Sequence, residues 1–226
     1  AEISERLASL HTLFGQNVLH DEDEWRLLLN EGDLAGLPDF ARAAAAAAAT
    51  ARGVVGHYAI TLSRASVEPF LSFSARRDLR RTAHEAWTAR GTHPGDHDNR
   101  KLIGEIMGFR AEQARLLGYD NFAAYRLDDT MAKTPEAAAA LLRAIWEPAK
   151  RKAAEERAEL EAMARADGLN EPIAPWDWRY YAEKLRQAKA DFDDAAIKPY
   201  LTLENMIAAA FDCATRLFGV TFEERK

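Results

Sequence analysis

Apolar residues recur at spacings of three and four along most of this chain, which is the period of an amphipathic helix. The acidic residues 21–24 are predicted to form a solvated break after a first helix. That helix is predicted over residues 2–19, on a stripe formed by Ile3, Leu7, Leu10, Phe14 and Val18. The chain is thus predicted to begin with one amphipathic helix.

An alanine-rich segment predicts the second helix. Pro38 and Asp39 can open it, residues 43–49 are all alanine, and Gly53 can end it. Because alanine has the highest helix propensity, this run indicates a tightly packed helix rather than a low-complexity linker. Residues 57–62 instead alternate in the two-residue period of a strand, which predicts a lone edge strand or a hairpin strand.

Glycine, proline and capping residues mark the ends of the helices that follow. One helix is predicted over about 75–89, and Gly91 can end it. The next is predicted to start at a cap on Asp96 or Asp98 and to end before Gly118.

The second half of the chain predicts further helices. Thr134 is a suitable cap with Pro135 in the first turn, and the helix can reach Ala166, although Pro148 should kink or split it. The remaining elements are predicted as a loop at 168–175, helices at about 176–189 and 203–218, and a stop at Gly219. The predicted fold class is therefore all-α, with one short strand or hairpin.

Composition and charge restrict the class of protein and the partners that can be expected for this chain. The chain has 226 residues, of which 48% are hydrophobic and 29% charged, as in ordinary globular proteins. A net charge of -6 disfavours nucleic acid and anionic membranes as partners, and no apolar run approaches the ~20 residues of a membrane span. Cys213 is the sole cysteine, so no internal disulfide can form. We therefore expect a cytoplasmic protein with no nucleic-acid or membrane partner.

Two local patterns resemble parts of catalytic sites but are incomplete. His84 and Glu85 are similar to the start of a zinc-binding helix, but Thr88 stands where the second histidine ligand is needed. Cys213 lies on a predicted amphipathic helix, where a small buried apolar residue is expected rather than a nucleophile.

The loop after Gly91 collects possible metal ligands, namely His93, Asp96, His97 and Asp98. Two imidazoles and two carboxylates can in principle hold a transition metal. Their spacing matches no closed metal motif, and polar loops often gather such residues by chance. No residue of this chain is therefore assigned as catalytic or metal-binding.

Two tryptophans and two tyrosines crowd the start of the helix predicted at 176–189. Asp177 follows Pro175 closely, where a negative charge favours the positive end of the helix. One interpretation is that the rings anchor a helix junction, with polar tips on buried partners. The other is that Trp176, Asp177, Tyr180 and Tyr181 line a substrate channel. The first is favoured, because aromatic helix faces are usually core.

Residues 176–181 resemble the Trp-Asp-x-x-Tyr-Tyr signature of the thimet oligopeptidase and peptidyl-dipeptidase family of zinc metallopeptidases. The likeness continues, in order, through residues 62–74, 76–80, 98–100, the single positions 103, 106, 110 and 114, and residues 116–119, 122–125, 131–135, 198–200 and 217–219. Among subgroups the chain looks most like bacterial peptidyl-dipeptidases, which remove C-terminal dipeptides from peptides.

The resemblance implies part of a helical clamshell peptidase with a channel for short peptides. It also implies a zinc ion bound by a His-Glu-x-x-His motif, which has no matching position in residues 1–226. We therefore expect an internal helical fragment that forms scaffold and channel wall, binds no zinc itself and is inactive alone. Ala1 in place of an initiator methionine agrees with a fragment or a processed chain.

These expectations extend to partners and boundaries. The complete hydrolase would bind short peptides and zinc, and this chain would pack on the missing C-terminal catalytic portion. Truncation would orphan apolar faces, so self-association is also expected. An internal boundary is predicted near 167–175. The alternative function is a stand-alone helical interaction module without catalysis.

Overall fold

A computed structural model describes residues 2–190 and 197–223, and these residues are mainly helical. The helices are α1 (Glu2–Glu24), α2 (Asp39–Ala51), α3 (Arg64–Phe73), α4 (Arg77–Thr88), α5 (Arg100–Leu116), α6 (Phe122–Leu127), α7 (Pro135–Ala166), α8 (Pro175–Ala190) and α9 (Leu203–Phe218). Short 3-10 turns lie at Glu31–Asp33 and Lys198–Tyr200. The all-α prediction is confirmed.

The chain divides into two compact units, residues 1–183 and residues 184–226. The division falls within α8, whereas the loop before α8 belongs to the first unit. The boundary near 167–175 stays a prediction. Among the residues described, no helix combines the length and the apolar composition that crossing a bilayer requires.

The sheet consists of two antiparallel strands, β1 (Arg26–Leu29) and β2 (Tyr58–Thr61), which pair from Arg26 opposite Thr61 to Leu29 opposite Tyr58. The prediction of β2 is confirmed. Strand β1 escaped prediction because its three consecutive leucines show no alternation, and leucine is a good helix former. Its conformation depends on pairing with β2, about thirty residues away in sequence.

The break predicted at 21–24 is wrong, because α1 continues to Glu24. Asp21 is buried, and its Oδ2 accepts a hydrogen bond of 2.6 Å from the backbone N–H of Gly91. The same oxygen lies 2.9 Å from Nδ1 of His93. These partners are about seventy residues away in sequence. The acidic composition of residues 21–24 therefore indicated a solvent-exposed segment, whereas in the fold hydrogen-bond donors from a distant loop allow Asp21 to be buried.

The start of α5 also differs from its prediction. The helix begins at Arg100 with Asn99 as the N-cap residue, rather than with a cap on Asp96 or Asp98. The Asn99 side chain makes no capping bond and turns into the interior instead. Asp98 still serves the first turn, because its Oδ1 accepts a 2.9 Å bond from the Arg100 backbone N–H.

Proline influenced the predictions for two helices. Helix α3 was not predicted and contains Pro69, which discourages a helix by removing a donor. Helix α7 was predicted to kink or split at Pro148, yet it is not split there and extends from Pro135 to Ala166. Cooperative hydrogen bonding on both sides of a single missing donor keeps the helix continuous. The six-residue α6 was also missed.

Other local predictions hold. The Thr134 hydroxyl accepts from the Ala137 N–H at 3.2 Å and caps α7 as expected. Ala45 and Ala49 are fully packed, so the alanine run is a buried helix face and not a linker. The main core of the first unit consists of Leu29, Leu34, Leu37, Ala45, Ile60, Val67, Phe70, Leu71 and Ala83. A smaller cluster, Leu7, Leu10 and Ile106, joins α1 to α5.

The second unit contains α9, which Gly219 ends in the left-handed conformation (φ 67°), as predicted. The prediction that Cys213 is buried is wrong, because the thiol-bearing residue is exposed. The physical reason is that none of the residues of α9 is buried. An amphipathic pattern identifies the face that needs cover, but it does not supply the cover.

Candidate functional site

The start of α8 is held by Asp177, which is fully buried. Its backbone N–H donates to the Ala174 carbonyl at 2.9 Å, and its Oδ2 accepts from the Ala174 N–H at 3.0 Å. Pro175, the first residue of α8, has no N–H to satisfy at that position. The carboxylate therefore satisfies a backbone donor at the positive end of α8.

Two arginines of α4 converge on this carboxylate, and we call Arg77, Arg80 and Asp177 the charged junction. Arg80 Nη2 donates to Asp177 Oδ1 at 2.8 Å, and the Arg80 side chain is only 2% exposed. Arg77 Nη2 donates to Oδ2 at 2.9 Å, and Arg77 Nε lies 3.1 Å from both oxygens. Two cations thus compensate one buried anion, about a hundred residues distant in sequence.

Arg80 has further partners that explain how its charge is tolerated inside the protein. Its Nη1 donates to the Ser74 carbonyl at 2.7 Å and its Nε to the Trp176 carbonyl at 3.2 Å. Its guanidinium carbon lies 4.1 Å from the centroid of the Tyr180 ring. Hydrogen bonds in the plane and a ring on the face replace the water that the cation loses on burial.

The charged junction is built for structure rather than for proton transfer. Burial alone would raise the pKa of Asp177, but hydrogen bonds from Arg77, the Ala174 N–H and Arg80 outweigh it and lower the pKa below its ordinary value. The same contact with Asp177 raises the pKa of Arg77. Both groups therefore stay ionised at neutral pH, and a carboxylate whose pKa is lowered by two arginines is a poor proton acceptor.

The four predicted channel residues fall into different environments. Trp176 is half-buried and borders an open groove of about 780 Å³, together with Arg77, Asp78, Arg81, Thr82, Glu85 and Glu171. Tyr180 packs under Arg80, and Tyr181 is buried, with a ring centroid 5.1 Å from that of Tyr180. Burial raises the pKa of Tyr181. Of the four, only Trp176 borders this groove.

The sequence pattern did not indicate Arg77 and Arg80 as site residues. No spacing rule connects them to Asp177, since the three residues meet only in the folded chain. The available signal was indirect: an aspartate among aromatic rings in a helix start needs a cationic partner if it is buried.

Around Trp176, cationic and neutral groups of α4 complete the surface. The guanidinium carbon of Arg81 lies 5.2 Å from its ring centroid, and the His84 ring stands edge-on to it at 6.3 Å. Burial lowers the pKa of His84, which favours the neutral imidazole. Thr88 Oγ1 donates to the His84 carbonyl at 2.9 Å, so the hydroxyl at the missing ligand position is occupied within the helix.

The loop after α4 forms a second polar cluster, and we call Asn17, Asp21, Gly91 and Asn99 the amide junction. Asn17 Nδ2 donates to Asn99 Oδ1 at 2.9 Å, and the Asn99 N–H donates to the Gly91 carbonyl at 2.8 Å. Asp21 accepts from the Gly91 N–H, as described above. All three side chains of this junction are buried.

The loop residues that resembled metal ligands are distributed among different partners. His93 Nδ1 faces Asp21, whereas His97 Nδ1 lies 3.1 Å from Asn17 Oδ1. Asp98 pairs with Arg100. Within residues 2–190 and 197–223, no three histidine, cysteine, aspartate or glutamate side chains are arranged to hold a metal ion. The described residues therefore do not fit a zinc site.

Comparison of the sequence with known proteins identifies a family for this chain. Residues 70–226 match peptidase family M3. Oligopeptidase A of Escherichia coli is 34% identical over 230 residues, which cover 100% of this chain and 34% of that protein. Dipeptidyl carboxypeptidase of the same organism is 34% identical over 220 residues, 96% of this chain and 32% of that protein.

A more distant similarity covers less of the chain. Mitochondrial intermediate peptidase of Neurospora crassa is 34% identical over 127 residues, 55% of this chain and 16% of that protein. The chain spans about a third of the length of the curated bacterial relatives it matches.

Proposed function

This chain belongs to peptidase family M3, and we propose that it forms helical scaffold and channel wall in a zinc-dependent hydrolase of short peptides. The observation that carries the proposal is the match of nearly the whole chain to oligopeptidase A and dipeptidyl carboxypeptidase, of which it spans about a third. A scaffold segment should align along its full length while lacking the reacting groups of the complete protein.

The metal belongs to another part of such a protein. The described residues offer no ligand set for zinc, and the helix with His84 has Thr88 where a second imidazole is needed. When bound, zinc would polarise the scissile carbonyl and activate water.

Within this proposal the aromatic segment has two roles. Trp176, which borders an open groove, contacts the peptide, while the buried Asp177 and Tyr181 hold the start of α8 in place. Tyr180 supports the guanidinium of Arg80. A rigid wall limits the substrates by shape, because only an extended peptide can reach a reacting centre across it.

The finer proposal is that the complete protein removes dipeptides from free C-termini. The name of one relative, dipeptidyl carboxypeptidase, which is 34% identical over 96% of this chain, motivates it. We also propose a cytoplasmic location, because a single cysteine fits a reducing compartment.

The test compares the complete reading frame with residues 1–226, both purified and assayed on internally quenched peptides. We expect the complete protein to hydrolyse them, to lose activity with a chelator and to regain it with zinc, and residues 1–226 to be inactive. Zinc-dependent hydrolysis by residues 1–226 would show that the scaffold assignment is wrong.

Two controls separate the alternatives. A peptide with an amidated C-terminus should resist a dipeptidyl carboxypeptidase but not an oligopeptidase, and mass spectrometry of the products distinguishes them. A reading frame without the His-Glu-x-x-His motif, giving a protein without peptidase activity, would instead support the non-catalytic interaction module.

A further inference from the structure

Helix α7 carries one apolar stripe that is buried near its C-terminal end and bare in its middle. At 100° per residue, Leu142, Ala149, Ala153 and Leu160 lie within about 20° of one line along the helix. Leu160 is 3% exposed, whereas Leu142 is 68% exposed. The same face is therefore core at one end and open surface further along.

The bare segment is long. Every residue from 140 to 159 is exposed, which corresponds to about 30 Å of helix. Ile145 and Trp146, on the same side as Leu142, are 59% and 61% exposed. A helix with so little packing is marginal in water, and a contiguous apolar surface of this kind marks a contact surface.

Charge along the stripe indicates what would fit on it. The bare segment carries both signs of charge: its cationic residues are Arg143, Lys150, Arg151, Lys152 and Arg157, and its acidic residues are Glu147, Glu155, Glu156 and Glu159. Lys150, Lys152 and Arg157 pair with Glu147, Glu155 and Glu161, whereas Arg143 has no ion-pair partner among the residues described. A complementary surface would present an apolar ridge with a carboxylate opposite Arg143.

We propose that the bare middle of α7, residues 140–159, is covered in the complete protein by polypeptide outside this chain. The stripe continues directly from the buried Leu160 and Ala164, so a covering element would extend an existing core. The two Escherichia coli relatives align with 100% and 96% of this chain and are about three times as long, which supplies the additional polypeptide. This inference rests on the proposed function only in taking the complete protein to be longer than the chain.

Hydrogen exchange measured by mass spectrometry tests the proposal on the complete protein and on residues 1–226, each at several concentrations. In the complete monomer we expect amides of 140–159 to exchange about 100-fold more slowly than in residues 1–226, because covered helices open only with larger unfolding. Equal exchange rates in the two proteins would overturn the proposal. Protection that rises with concentration, together with a dimer in light scattering, would overturn it in favour of a second copy.

A matched pair of variants of the complete protein provides the second measurement. Leu142→Asp places a charge in the stripe, whereas Leu116→Asp changes an equally exposed leucine (72%) at the end of α5. We expect Leu142→Asp to accelerate exchange in 140–159 by about tenfold or more, and Leu116→Asp to leave it unchanged. Equal behaviour of the two variants would contradict the proposal.

Two further outcomes are informative on their own. If Leu142→Asp does not fold, the exchange rates of the unmodified proteins still decide the question. Because neither measurement uses peptidase activity, a protected α7 in an inactive protein would refute the proposed function and leave this inference standing.

Discussion

The two ends of α4 are tied to distant parts of the chain by buried polar groups of different kinds. At its start, the charged junction joins Arg77 and Arg80 to Asp177 through ion pairs of 2.9 and 2.8 Å. Just after its end, the amide junction joins Asn17 and Asn99 through a neutral bond of 2.9 Å. Each junction crosses more than eighty residues of sequence.

The comparison shows how the stability lost on breaking a buried polar contact depends on whether its groups are charged. An amide left without its partner loses a hydrogen bond and stays neutral, whereas an arginine left without its carboxylate is a buried, uncompensated ion. A buried ion pair need not stabilise the fold relative to apolar side chains, yet breaking one is expensive. The charged junction should therefore be the more fragile of the two.

The largest expected effect comes from removing the central anion. Asp177→Ala leaves Arg80 buried without a counter-ion, so we expect a loss of about 3–5 kcal/mol in the free energy of unfolding. Urea denaturation of the 226-residue chain, monitored by circular dichroism, measures it. Asp78→Ala is the control, because Asp78 pairs with Arg76 on the surface and its loss should matter little. Equal losses in the two variants would contradict the buried-charge account.

A smaller effect is expected at the amide junction. Asn99→Ala leaves the Asn17 amide and the Phe14 carbonyl without their partner, and we expect a loss of about 1–3 kcal/mol. The double variant with Asn17→Ala should cost less than the sum of the single changes, since both remove one bond. Strict additivity in the same denaturation assay would show that the two amides do not interact.

Comparing two glycines with nearly the same φ angle separates the effect of steric crowding at the amide junction from the effect of backbone strain. Gly91 and Gly53 have φ angles of 74° and 75°. A Cβ at Gly91 would lie 2.8 Å from Asn99 Nδ2 and 3.0 Å from Val18 Cγ2, whereas a Cβ at Gly53 would have no neighbour within 4 Å. We expect Gly91→Ala to cost about 1 kcal/mol more than Gly53→Ala, because only the former is overpacked. Equal melting temperatures of the two variants would show that a Cβ at Gly91 is not crowded.

The smallest effect concerns pH and the side of α4 that faces Trp176. Burial lowers the pKa of His84 in the folded state, so below the ordinary pKa the unfolded chain binds more protons. The contribution of neutral His84 to the free energy of unfolding is complete at higher pH. It is lost as the pH falls through the ordinary histidine pKa towards the lower pKa of the folded state. Between pH 8 and pH 5, His84→Gln should therefore show a shallower decline than the unmodified chain in urea titrations. Parallel curves would contradict this assignment.

Much of the fold followed from local patterns. The stripe of α1, the alanine run of α2, the Thr134 cap of α7 and the Gly219 stop of α9 are visible because helix period and capping depend on neighbours within a few residues. The errors have a common cause as well. Local chemistry placed Asp21 in a solvated break and the cap of α5 on Asp96 or Asp98, whereas Asp21 and the actual cap residue, Asn99, are held by partners across the fold.

The candidate site divides in the same way. The Trp-Asp-x-x-Tyr-Tyr segment identified the family and directed attention to Asp177, but neither its arginine partners nor the burial of Tyr181 could be read from spacing. Cys213 and α7 illustrate the reverse case, in which an apolar stripe was visible and its cover was not.

The sequence by itself determined the helical class, the positions of most helices and the family, because periodicity, capping residues and a short aromatic signature act over a few residues. Only the tertiary structure decided which acidic side chains are buried, which arginines compensate Asp177 and which stretch of α7 is bare. The physical reason is that burial and charge compensation are properties of contacts between distant segments, and such contacts leave no period in the chain.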